Sequence, residues 1–600
     1  MRSFIVVTCL FLSLSSLHAQ ALTREWIGAT TYEDMSDLLR RFPGMYAYDY
    51  GVAGAPLIFR PWGFAPWYIG VERDGIPWSR VSDGLYESNL DLPEEVDSLS
   101  QRFDGSHPLA TIGFTTRKLP TDTATTEVAL REGYYGFGRI DFAHGQRLSK
   151  RLEGWGRGRL WWYDGLRQIL SSTGPASLSD ARFYNLSGML RYAVSTEWST
   201  TIEYGGANVE ARSPLRISGN NDRPQNYSER EYGTLRAQRI APRLDLEFAV
   251  HARQDREKRG PYFRLREQFW YGYAQGIVKT SSAHLRARAA IERADYSYTG
   301  GGGEDSFANL HISGAQHSRI GDVSARALLR QRLAGESPLA EDLPTKSLTA
   351  EYVTPQWLSL QAIAGGTVGY NDIPQFWRAA RFDSTNRPWL VDDAFAEGSY
   401  YRGPRSEFES IDEFSSYMGM WHAGLRSERG TSRATLSWNA VYGDEPRFYA
   451  DNDTVYLSRD YATDVVEQRG PSLQCDAAIL SFLRLQSYSH IALDADEIGR
   501  AVDTRSYSRL MFSRDFFQAP LRVRSYLAYE HIGPRRARSE IRAEVLGPAH
   551  LMHFRLEAAI HGVALIWGME NITGQHYEYL PGYMLIRKEE YFGLKWTLKL

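Results

Sequence analysis

Hydrophobic and polar residues alternate along much of this chain, and most clearly at its C-terminal end. Phe592, Leu594, Trp596, Leu598 and Leu600 are apolar, whereas the residues between them are small, polar or charged. Because successive side chains of a β-strand point to opposite faces, this pattern predicts a strand with one fully apolar face. Such a face covers the core of a soluble sheet or meets lipid in a membrane barrel, so the last strand alone leaves both architectures open.

The same period of two recurs in internal segments of about ten residues, which is the length that a tilted strand needs to cross the hydrocarbon layer. Clusters of Gly, Pro, Asn, Asp and Ser separate the segments. From about Thr125 to Leu600 there is room for about 18–22 such strands. The clearest segments are residues 244–253, 283–292, 323–329, 434–442, 521–529 and 541–545.

The polar positions of these segments carry charged residues in strand after strand, as in RLDLEFAVHAR. A periplasmic sandwich or propeller would also alternate, but it would not repeat charge on its inner face, and a propeller would repeat every 40–50 residues or so. Aromatic residues crowd two predicted strand ends, LWWYDG (160–165) and FWYGYA (269–274), where an interfacial girdle is expected. These features favour an all-β transmembrane barrel of antiparallel strands.

The N-terminus predicts export. Arg2 precedes an apolar run from Phe4 to Leu14, and small residues follow up to Ala21, so residues 1–21 are interpreted as a cleavable signal peptide. Its removal takes Cys9 and leaves Cys475, which excludes an intrachain disulfide. No later stretch of about 18 apolar residues predicts a spanning helix. An exported barrel is therefore expected in an outer membrane of the Gram-negative type.

Residues 22–118 have a different pattern and predict a small α/β domain before a barrel domain at 119–600. Thr30 and Glu33 have the spacing of a capping box, and apolar residues that include Leu38 then recur at helical intervals until Pro43-Gly44. Short strand candidates follow in APLIFRPWG and PWYIGVERDGIPW, and the second contains an Asp-Gly turn.

This domain resembles the plug of TonB-dependent outer-membrane receptors. DLLRRFPGMYAYDYG, LIFRPWGF, YIGVERDGIPW and IGFTTRK are similar to successive plug motifs, and GMENITGQHYEYLPGYMLIRKEEYFGLKWTL is similar to the family's last hairpin. The resemblance implies a plug inside the barrel whose charged residues pair with the barrel wall. The plug residues that carry it are Leu38, Pro43, Gly44, Arg60, Gly63, Asp74, Gly75 and Pro77.

The sequence departs from the family pattern in three places. These departures count against transport energised through TonB more than against the predicted fold. The leader LTREWIGAT contains no TonB box, Pro61 and Trp62 separate Arg60 from Gly63, and the last residue is Leu600 rather than an aromatic residue. As an extended chain, residues 22–29 would reach roughly 30 Å, which is hardly enough to pair with a distant periplasmic partner. The sequence therefore predicts that these eight residues, from Leu22 to Ala29, are dispensable for ligand uptake.

Residues 372–409 form the longest stretch with little alternation. It is interpreted either as a large extracellular loop with a partial fold of its own or as a lid that grips a ligand, because aromatic and Arg side chains bind at low entropic cost. Residues 213–230 and 443–468 are expected on the same side. The candidate ligand residues are Trp377, Arg378, Phe382, Trp389, Tyr400 and Tyr401.

The leading functional hypothesis is a receptor and transporter that binds a small-molecule, oligosaccharide or peptide ligand at loops and plug. The alternatives are a plugged or gated porin-like channel without TonB coupling and a surface binding component that transports nothing. Expected partners are outer-membrane lipid, the barrel assembly machinery and, where coupling operates, TonB. The net charge of −3 does not indicate a nucleic-acid-binding protein, for which a basic surface is expected. No motif predicts catalytic residues, a cofactor or a metal site, so an enzyme is not expected.

Overall fold

A computed structural model of the chain describes most of its residues. The described residues are 21–29, 35–42, 44–48, 58–61, 69–102, 110–164, 181–212, 225–259, 263–298, 301–335, 345–356, 360–372, 382–383, 415–429, 432–444, 447–451, 454–458, 465–493, 504–517, 521–538, 543–580, 583–584 and 589–599. Within these ranges, no helix has the length and hydrophobicity needed to cross a membrane.

Twenty-two of the described strands form one closed antiparallel barrel. The count lies at the upper end of the predicted range, and the predicted all-β barrel is confirmed. In ring order the strands are β8 (Thr125–Gly133), β9 (Gly138–Arg147), β10 (Leu152–Tyr163), β11 (Ala181–Ala193), β12 (Trp198–Arg212), β13 (Gln225–Arg239), β14 (Leu244–Arg259), β15 (Phe263–Lys279), β16 (Ala283–Tyr298), β17 (Gly301–Ser318), β18 (Gly321–Gly335), β19 (Thr345–Val353), β20 (Leu360–Asp372), β22 (Ser415–Arg429), β23 (Ser432–Asp444), β26 (Val465–Leu480), β27 (Leu483–Ile491), β28 (Thr504–Phe516), β29 (Leu521–Ile532), β32 (Ala549–Ile560), β33 (Val563–Glu570) and β36 (Glu589–Lys599). A separate hairpin of β34 (Glu578–Leu580) and β35 (Tyr583–Met584) precedes the last of them.

The C-terminal strand closes the ring. β36 pairs with β33 on one side and with β8 on the other, so that Trp596 lies opposite Val128. The apolar side chains Phe592 and Leu598 are exposed on the outer surface, as is Val250 on β14. No edge is left open, which a strand array in hydrocarbon requires because no water is present to satisfy its backbone groups. The apolar face of the last strand is therefore the lipid side of the barrel.

Two predictions about individual segments need correction. The segment 541–545 is not a barrel strand: its described part lies in β31 (Ala543–Leu546), which pairs with β30 (Arg535–Arg538) in a separate hairpin. Alternation marks any hairpin with two different faces, and this one lies in the connection between β29 and β32. The aromatic clusters are also divided between the two faces: Trp162 and Trp270 are exposed, whereas their sequence neighbours are buried inside the barrel.

The two ends of the barrel differ in the length of their connections. At one end, short links join the strands, such as residues 240–243 between β13 and β14 and residues 561–562 between β32 and β33. At the other end, residues 164–180, 373–414 and 445–464 separate consecutive barrel strands. Outer-membrane barrels have short periplasmic turns and longer extracellular loops, so the second end is the extracellular one.

The N-terminal residues form a five-stranded mixed sheet, whose strands in spatial order are β1 (Ala21–Thr23), β6 (Val96–Arg102), β7 (Ala110–Thr116), β4 (Ile69–Arg73) and β5 (Ile76–Pro77). In this sheet β4 runs parallel to β7. Its apolar core includes Leu38, Val71, Leu99 and Ile112. The elements are β1 (Ala21–Thr23), a helix at Arg24–Ala29, a helix at Met35–Leu39, the hairpin of β2 (Met45–Tyr48) and β3 (Ile58–Pro61), β4 (Ile69–Arg73), β5 (Ile76–Pro77), β6 (Val96–Arg102) and β7 (Ala110–Thr116).

The expectation that residues 22–29 form an extended leader is wrong. Strand β1 pairs antiparallel with β6, and the following helix packs on the same unit. Leu22 is 4% exposed and Ile27 is fully buried, because the apolar residues of LTREWIGAT contribute to the core of the domain. Trp26, also 4% exposed, lies against the barrel wall. The segment is therefore part of the folded N-terminal domain.

The position of the apolar belt leads to a prediction about depth. Phe248 is the middle one of the outward apolar residues of β14, which occupy every second position from 244 to 252, whereas Gln254 faces outward beyond them. A cation at the bilayer midplane costs about 2–4 kcal/mol, and the cost falls to about 0–1 kcal/mol near the interface. We expect Phe248→Arg to lower the free energy of unfolding in bilayers by about 2–4 kcal/mol. Gln254→Arg is expected to lower it by only about 0–1 kcal/mol. Urea titration of both variants measures this difference, and equal losses would contradict the assigned depth.

Candidate site at the contact of the N-terminal domain with the barrel wall

The structure describes only part of the predicted site. Leu38, Gly44, Asp74, Gly75 and Pro77 lie in the N-terminal domain. Pro43 and Gly63 lie outside the described residues, as do the loop residues Trp377, Arg378, Trp389, Tyr400 and Tyr401, and the side chain of Arg60 is not described. The ligand-binding role of the loop therefore stays a prediction.

Phe382 provides the one described link between the predicted loops. It begins β21 (Phe382–Asp383), which pairs with β25 (Thr454–Ser458), so that Phe382 lies opposite Val455. β25 in turn pairs with β24 (Arg447–Asp451). The two long loops that follow β20 and β23 thus share a three-stranded sheet at the extracellular end of the barrel.

The Asp74-Gly75 turn contacts the barrel wall through its backbone. Both residues have positive φ, 50° at Asp74 and 78° at Gly75, as a tight turn between β4 and β5 requires. Arg236 donates to the carbonyl oxygen of Asp74 at 2.8 Å, and Arg288 donates to that of Gly75 at 2.6 Å. The Asp74 carboxylate accepts from the backbone N–H of Thr116 at 2.9 Å and so fixes the turn from within its own domain.

Arg253 of β14 binds the segment that follows this turn. Its buried guanidinium donates to the carbonyl oxygens of Pro77, Trp78 and Ser79 at 3.1–3.2 Å. It also pairs with Asp255 at 2.6 Å and with Glu267 at 3.1 Å. Arg253 therefore joins three consecutive carbonyl groups of the N-terminal domain to two carboxylates of the barrel wall.

Glu267 of β15 completes this contact as an acceptor. Its carboxylate accepts from the backbone N–H of Val81 at 3.1 Å and from that of Ser82 at 2.8 Å, and the Ser82 hydroxyl donates to it at 2.6 Å. The carboxylate is fully buried. A buried carboxylate keeps its charge at low cost only when donors of this kind surround it.

Trp78 lies at the centre of the contact. Its ring is 1% exposed and packs edge-to-face on Tyr232 of β13 at 5.1 Å between centroids. The guanidiniums of Arg73 and Arg230 lie 5.0 Å from the ring centroid, within the range of cation–π attraction. The indole N–H donates to Asp91 at 2.7 Å. One aromatic side chain is thus held by residues of both domains.

Carboxylates of the N-terminal domain meet arginines of the wall around this ring. Asp91 accepts from Arg230 at 3.4 Å, and burial raises the pKa of Asp91, although Arg230 and Arg73 oppose the shift. In the other direction, Arg73 of the N-terminal domain pairs with Glu203 of β12 at 2.6 Å. Glu94 is bound by Arg131, Arg139 and Arg159 of β8, β9 and β10.

Arg80 of the N-terminal domain forms buried ion pairs at the same contact. It pairs with Asp83 and with Glu257 of β14, both at 2.6 Å, and with Glu87 at 3.0 Å. Burial by itself would lower the pKa of Arg80, but these three carboxylates raise it well above its ordinary value. Arg80 is therefore a permanent cation with barrel and domain partners.

A second contact lies across the barrel, on β28, β29 and β32. Arg41 pairs with Glu530 of β29 at 3.2 Å, and Glu530 also pairs with Arg505 of β28 at 3.0 Å. Arg505 donates to the backbone carbonyl oxygens of Arg40, at 2.7 Å, and of Met45. Since β13–β16 and β28–β32 lie on roughly opposite sides of a ring of 22 strands, the N-terminal domain spans the lumen as a plug.

Trp26 provides the third contact, close to the second. Its ring lies 4.0 Å from the guanidinium of Arg509 and 5.3 Å from that of Arg484. It packs in one apolar cluster with Tyr507, Met511 and Tyr526 of β28 and β29. The N-terminal helix is thereby held to the wall through Trp26, whose carbonyl oxygen also accepts from Arg509 at 3.5 Å.

The plug–wall contact combines buried ion pairs with apolar packing, since Ile76, Leu90 and Trp26 of the plug join apolar clusters of the wall. The plug also has an apolar core of its own, to which Tyr232 of β13 contributes. A buried ion pair adds little net stability, but removal of one partner costs about 3–5 kcal/mol because the other charge stays buried. The ion pairs therefore hold the plug in one position on the wall. Among the described residues, no group of three or more His, Cys, Asp and Glu side chains could hold a metal ion.

The sequence did not identify most of these residues. Trp78, Arg80, Arg253 and Glu267 were outside the predicted site, and Glu267 lies 185 positions along the chain from its partner Ser82. Alternating charge on β13–β16 was the signal available: it indicated which side chains face the lumen but not what they meet there.

A closed 22-stranded barrel with a small α/β domain across its lumen is the fold of TonB-dependent outer-membrane receptors, which confirms the predicted resemblance at the level of the fold. With its apolar outer surface, the barrel belongs in an outer membrane.

Comparison with solved structures supports this assignment. The siderophore receptor PirA from Acinetobacter baumannii superimposes with a TM-score of 0.76 at 12% identity, over 97% of this chain and 98% of that one. A mutant of the ferric enterobactin receptor PfeA from Pseudomonas aeruginosa gives 0.74 at 11% identity over the same shares. The copper transporter OprC gives 0.72 at 12% identity, over 95% and 96%. No family model and no curated protein sequence matches the chain.

The Gly75 position gives a prediction about how the plug is seated. A Cβ added there would lie 2.9 Å from a terminal nitrogen of Arg288, and the positive φ of 78° strains any L side chain. We expect Gly75→Ala to destabilise plug seating by about 1–2 kcal/mol. Limited proteolysis of the plug at increasing urea measures this loss. A double-mutant cycle with Arg288→Ala separates the backbone cost from the clash, because only the clash depends on the Arg288 side chain.

Proposed function

We propose that this protein is an outer-membrane receptor that binds a scarce small ligand at its extracellular end and admits it to the periplasm when the plug rearranges. The observation that carries this proposal is a plug seated across the lumen by polar contacts on two opposite walls. A plug seated in this way can move or unfold in part while the barrel stays intact, because the barrel closes through its own strand pairing and shares no sheet with the described strands of the plug.

The similar structures suggest where to look for the ligand. Their names describe a siderophore receptor, a ferric enterobactin receptor and a copper transporter, which makes ferric siderophores and copper the first ligands to examine. Oligosaccharides and peptides come next, because the predicted loop carries Trp, Tyr and Arg side chains that suit them as well. We include in the proposal that the protein transports its ligand and catalyses no reaction.

Growth of a deletion strain provides the test. The strain is grown with each candidate as its limiting source of iron, copper or carbon, and the purified full-length protein is titrated with the same compounds. The proposal requires one compound whose use depends on this protein and which binds it directly. Unimpaired growth on every candidate, together with no binding, would instead support a component that transports nothing.

A gated channel without energy coupling is the second candidate. The docked N-terminal segment favours it, because Leu22 and Ile27 are buried in the plug rather than free to reach a periplasmic partner. Uptake of the identified ligand with and without a proton-motive-force uncoupler decides between the two. Uptake that continues at the same rate favours the channel, whereas uptake that stops favours coupling through TonB.

A further inference from the structure

Two histidines lie directly opposite each other on β29 and β32. His531 and His550 are cross-strand partners, with 4.7 Å between their ring centroids and 30° between their ring planes. Their Nδ1 atoms are 3.4 Å apart. Because these two nitrogens are closer together than the ring centroids, the Nδ1 edges of the rings turn towards each other. We refer to the two residues as the histidine pair.

The histidine pair lies on the outer surface of the barrel, at its extracellular rim. Ile532 and Ala549, the next residues on the two strands, face the lumen and are buried, so the pair faces outward. The short link at residues 561–562 joins the opposite end of β32 to β33, which places the pair at the end with the long loops. The outward residue before the pair on β29 is Tyr529, and tyrosine is typical of the membrane–water interface. An ion can therefore reach the pair from water.

The distance between the two Nδ1 atoms fits a shared metal ion. Two imidazole ligands of a tetrahedral zinc ion, each about 2.0–2.1 Å from the metal, have nitrogens about 3.3–3.4 Å apart. Adjacent ligands of a square-planar ion at the same bond lengths would be only about 2.8–3.0 Å apart. The observed 3.4 Å matches the tetrahedral edge. The pair thus has the spacing of two zinc ligands before any metal is bound.

Two hydroxyl groups favour the tautomers that a metal site needs. The Thr504 hydroxyl of β28 lies 3.3 Å from Nε2 of His531, where it can accept from an Nε2–H group and leave Nδ1 with its lone pair. The Tyr529 hydroxyl lies 2.7 Å from Nδ1 of His550 and can donate to it. In these tautomers both Nδ1 atoms are acceptors, and one hydroxyl proton serves two lone pairs. A metal ion between the rings satisfies both.

The composition of the site selects the class of ion. Imidazole suits zinc, copper, iron and nickel, whereas calcium and magnesium require oxygen ligands. Among the residues that the structure describes, no third His, Cys, Asp or Glu side chain completes a set of three with the pair. Water would then occupy the other two positions of a tetrahedral ion, which a site on the outer rim allows. The site is therefore of the open kind, with exchangeable ligands.

We propose that His531 and His550 bind a zinc ion at the extracellular rim, each through its Nδ1 atom, with two water molecules as the other ligands. The ion joins β29 to β32 at the base of the connection that contains the hairpin of β30 and β31. Thr504 is a positioning residue, because it contacts the His531 ring on the side away from the ion. The site lies outside the lumen and does not depend on the proposed uptake function.

Zinc titration of the full-length protein tests the site. The protein is prepared in detergent without a polyhistidine tag, and Zn²⁺ is titrated into it in a calorimeter. We expect His531→Gln and His550→Gln each to weaken binding at least about tenfold, since loss of a ligand costs no less than loss of an outer-shell partner. Thr504→Val is expected to weaken binding about tenfold, an effect that a mere stack of two rings would not produce.

Two controls make the outcome specific. His284→Gln removes a histidine on β16 that is also exposed, but its cross-strand neighbours are Lys279 and Ala315, so the variant is expected to bind zinc as the wild type does. X-ray absorption of the wild type with one equivalent of zinc counts the ligands directly and is expected to show two imidazoles at about 2.0–2.1 Å. All variants change outward-facing side chains, and circular dichroism confirms that the barrel is folded.

Several results would overturn the proposal. Equal zinc affinity of the wild type and the two histidine-pair variants would place any binding elsewhere on the protein. A zinc site with one imidazole or none would show adventitious binding. A wild type that binds no zinc at millimolar concentration would show that the two rings form only a hydrogen-bonded pair.

Discussion

Replacing Arg253 by alanine is expected to loosen the plug by about 3–5 kcal/mol, since removal of one partner from a buried ion pair leaves the other charge unpaired. The guanidinium joins three carbonyl groups of the plug, at Pro77, Trp78 and Ser79, to Asp255 and Glu267 of the wall. The urea concentration at which protease cleaves the plug measures the change, because cleavage reports plug release while the barrel remains folded.

Three further variants serve as controls for the Arg253→Ala measurement. Arg522→Ala removes an exposed pair with Asp515, and we expect a loss of less than about 1 kcal/mol. Arg253→Lys keeps the charge but not the planar fork of donors, so an intermediate loss is expected. Glu267→Gln added to Arg253→Ala removes the unpaired charge and is expected to restore part of the stability. The same cleavage midpoint for Arg253→Ala and Arg522→Ala would show that the contact does not hold the plug.

The barrel could be predicted from the sequence because its signal is local. In RLDLEFAVHAR every second residue faces lipid, and that pattern follows from strand geometry alone. Leu246, Phe248 and Val250 face outward in β14 as predicted. The closing strand could also be identified, because hydrocarbon allows no open edge.

The plug–wall contact could not be predicted because its partners are distant in sequence. Arg253 was recognisable as a lumen residue, but its contact with Trp78 spans 175 positions. Alternation also does not distinguish a lumen residue in water from one that packs on the plug. Phe269 and Tyr271 illustrate this: their cluster suggested an interfacial girdle, yet both are buried against the plug beside Ile76.

The N-terminal segment shows a different limit. Eight residues without a recognisable motif looked like a free leader, because a three-residue strand gives too short a pattern to detect. Its burial depends on a partner strand, β6, that comes much later in the chain. Because Leu22 and Ile27 are buried, we now expect residues 22–29 to be needed, and their role in uptake stays a prediction.

Deleting residues 22–29 is now expected to unseat the plug. The deletion removes the core side chains Leu22 and Ile27, each worth about 2–5 kcal/mol when truncated, together with the Trp26 contact to Arg509. It also removes Arg24, which donates to two backbone carbonyl oxygens of the plug at 3.1 and 3.2 Å. We expect the barrel to assemble with a loosened plug that leaks antibiotics too large for general porins.

Antibiotic sensitivity, measured with and without an uncoupler, distinguishes this structural role from a coupling role. A leak through a loosened plug does not depend on the proton-motive force, so the deletion strain should be sensitive under both conditions. Trp26→Ala, which removes only the wall contact, should leak less, and Glu25→Ala, which alters an exposed side chain of the same helix, should not leak. If the deletion instead abolishes ligand uptake while the plug stays protease-resistant and the strain stays impermeable, then residues 22–29 are a coupling segment. In that case their burial in the plug would be the resting state from which a periplasmic partner draws them out.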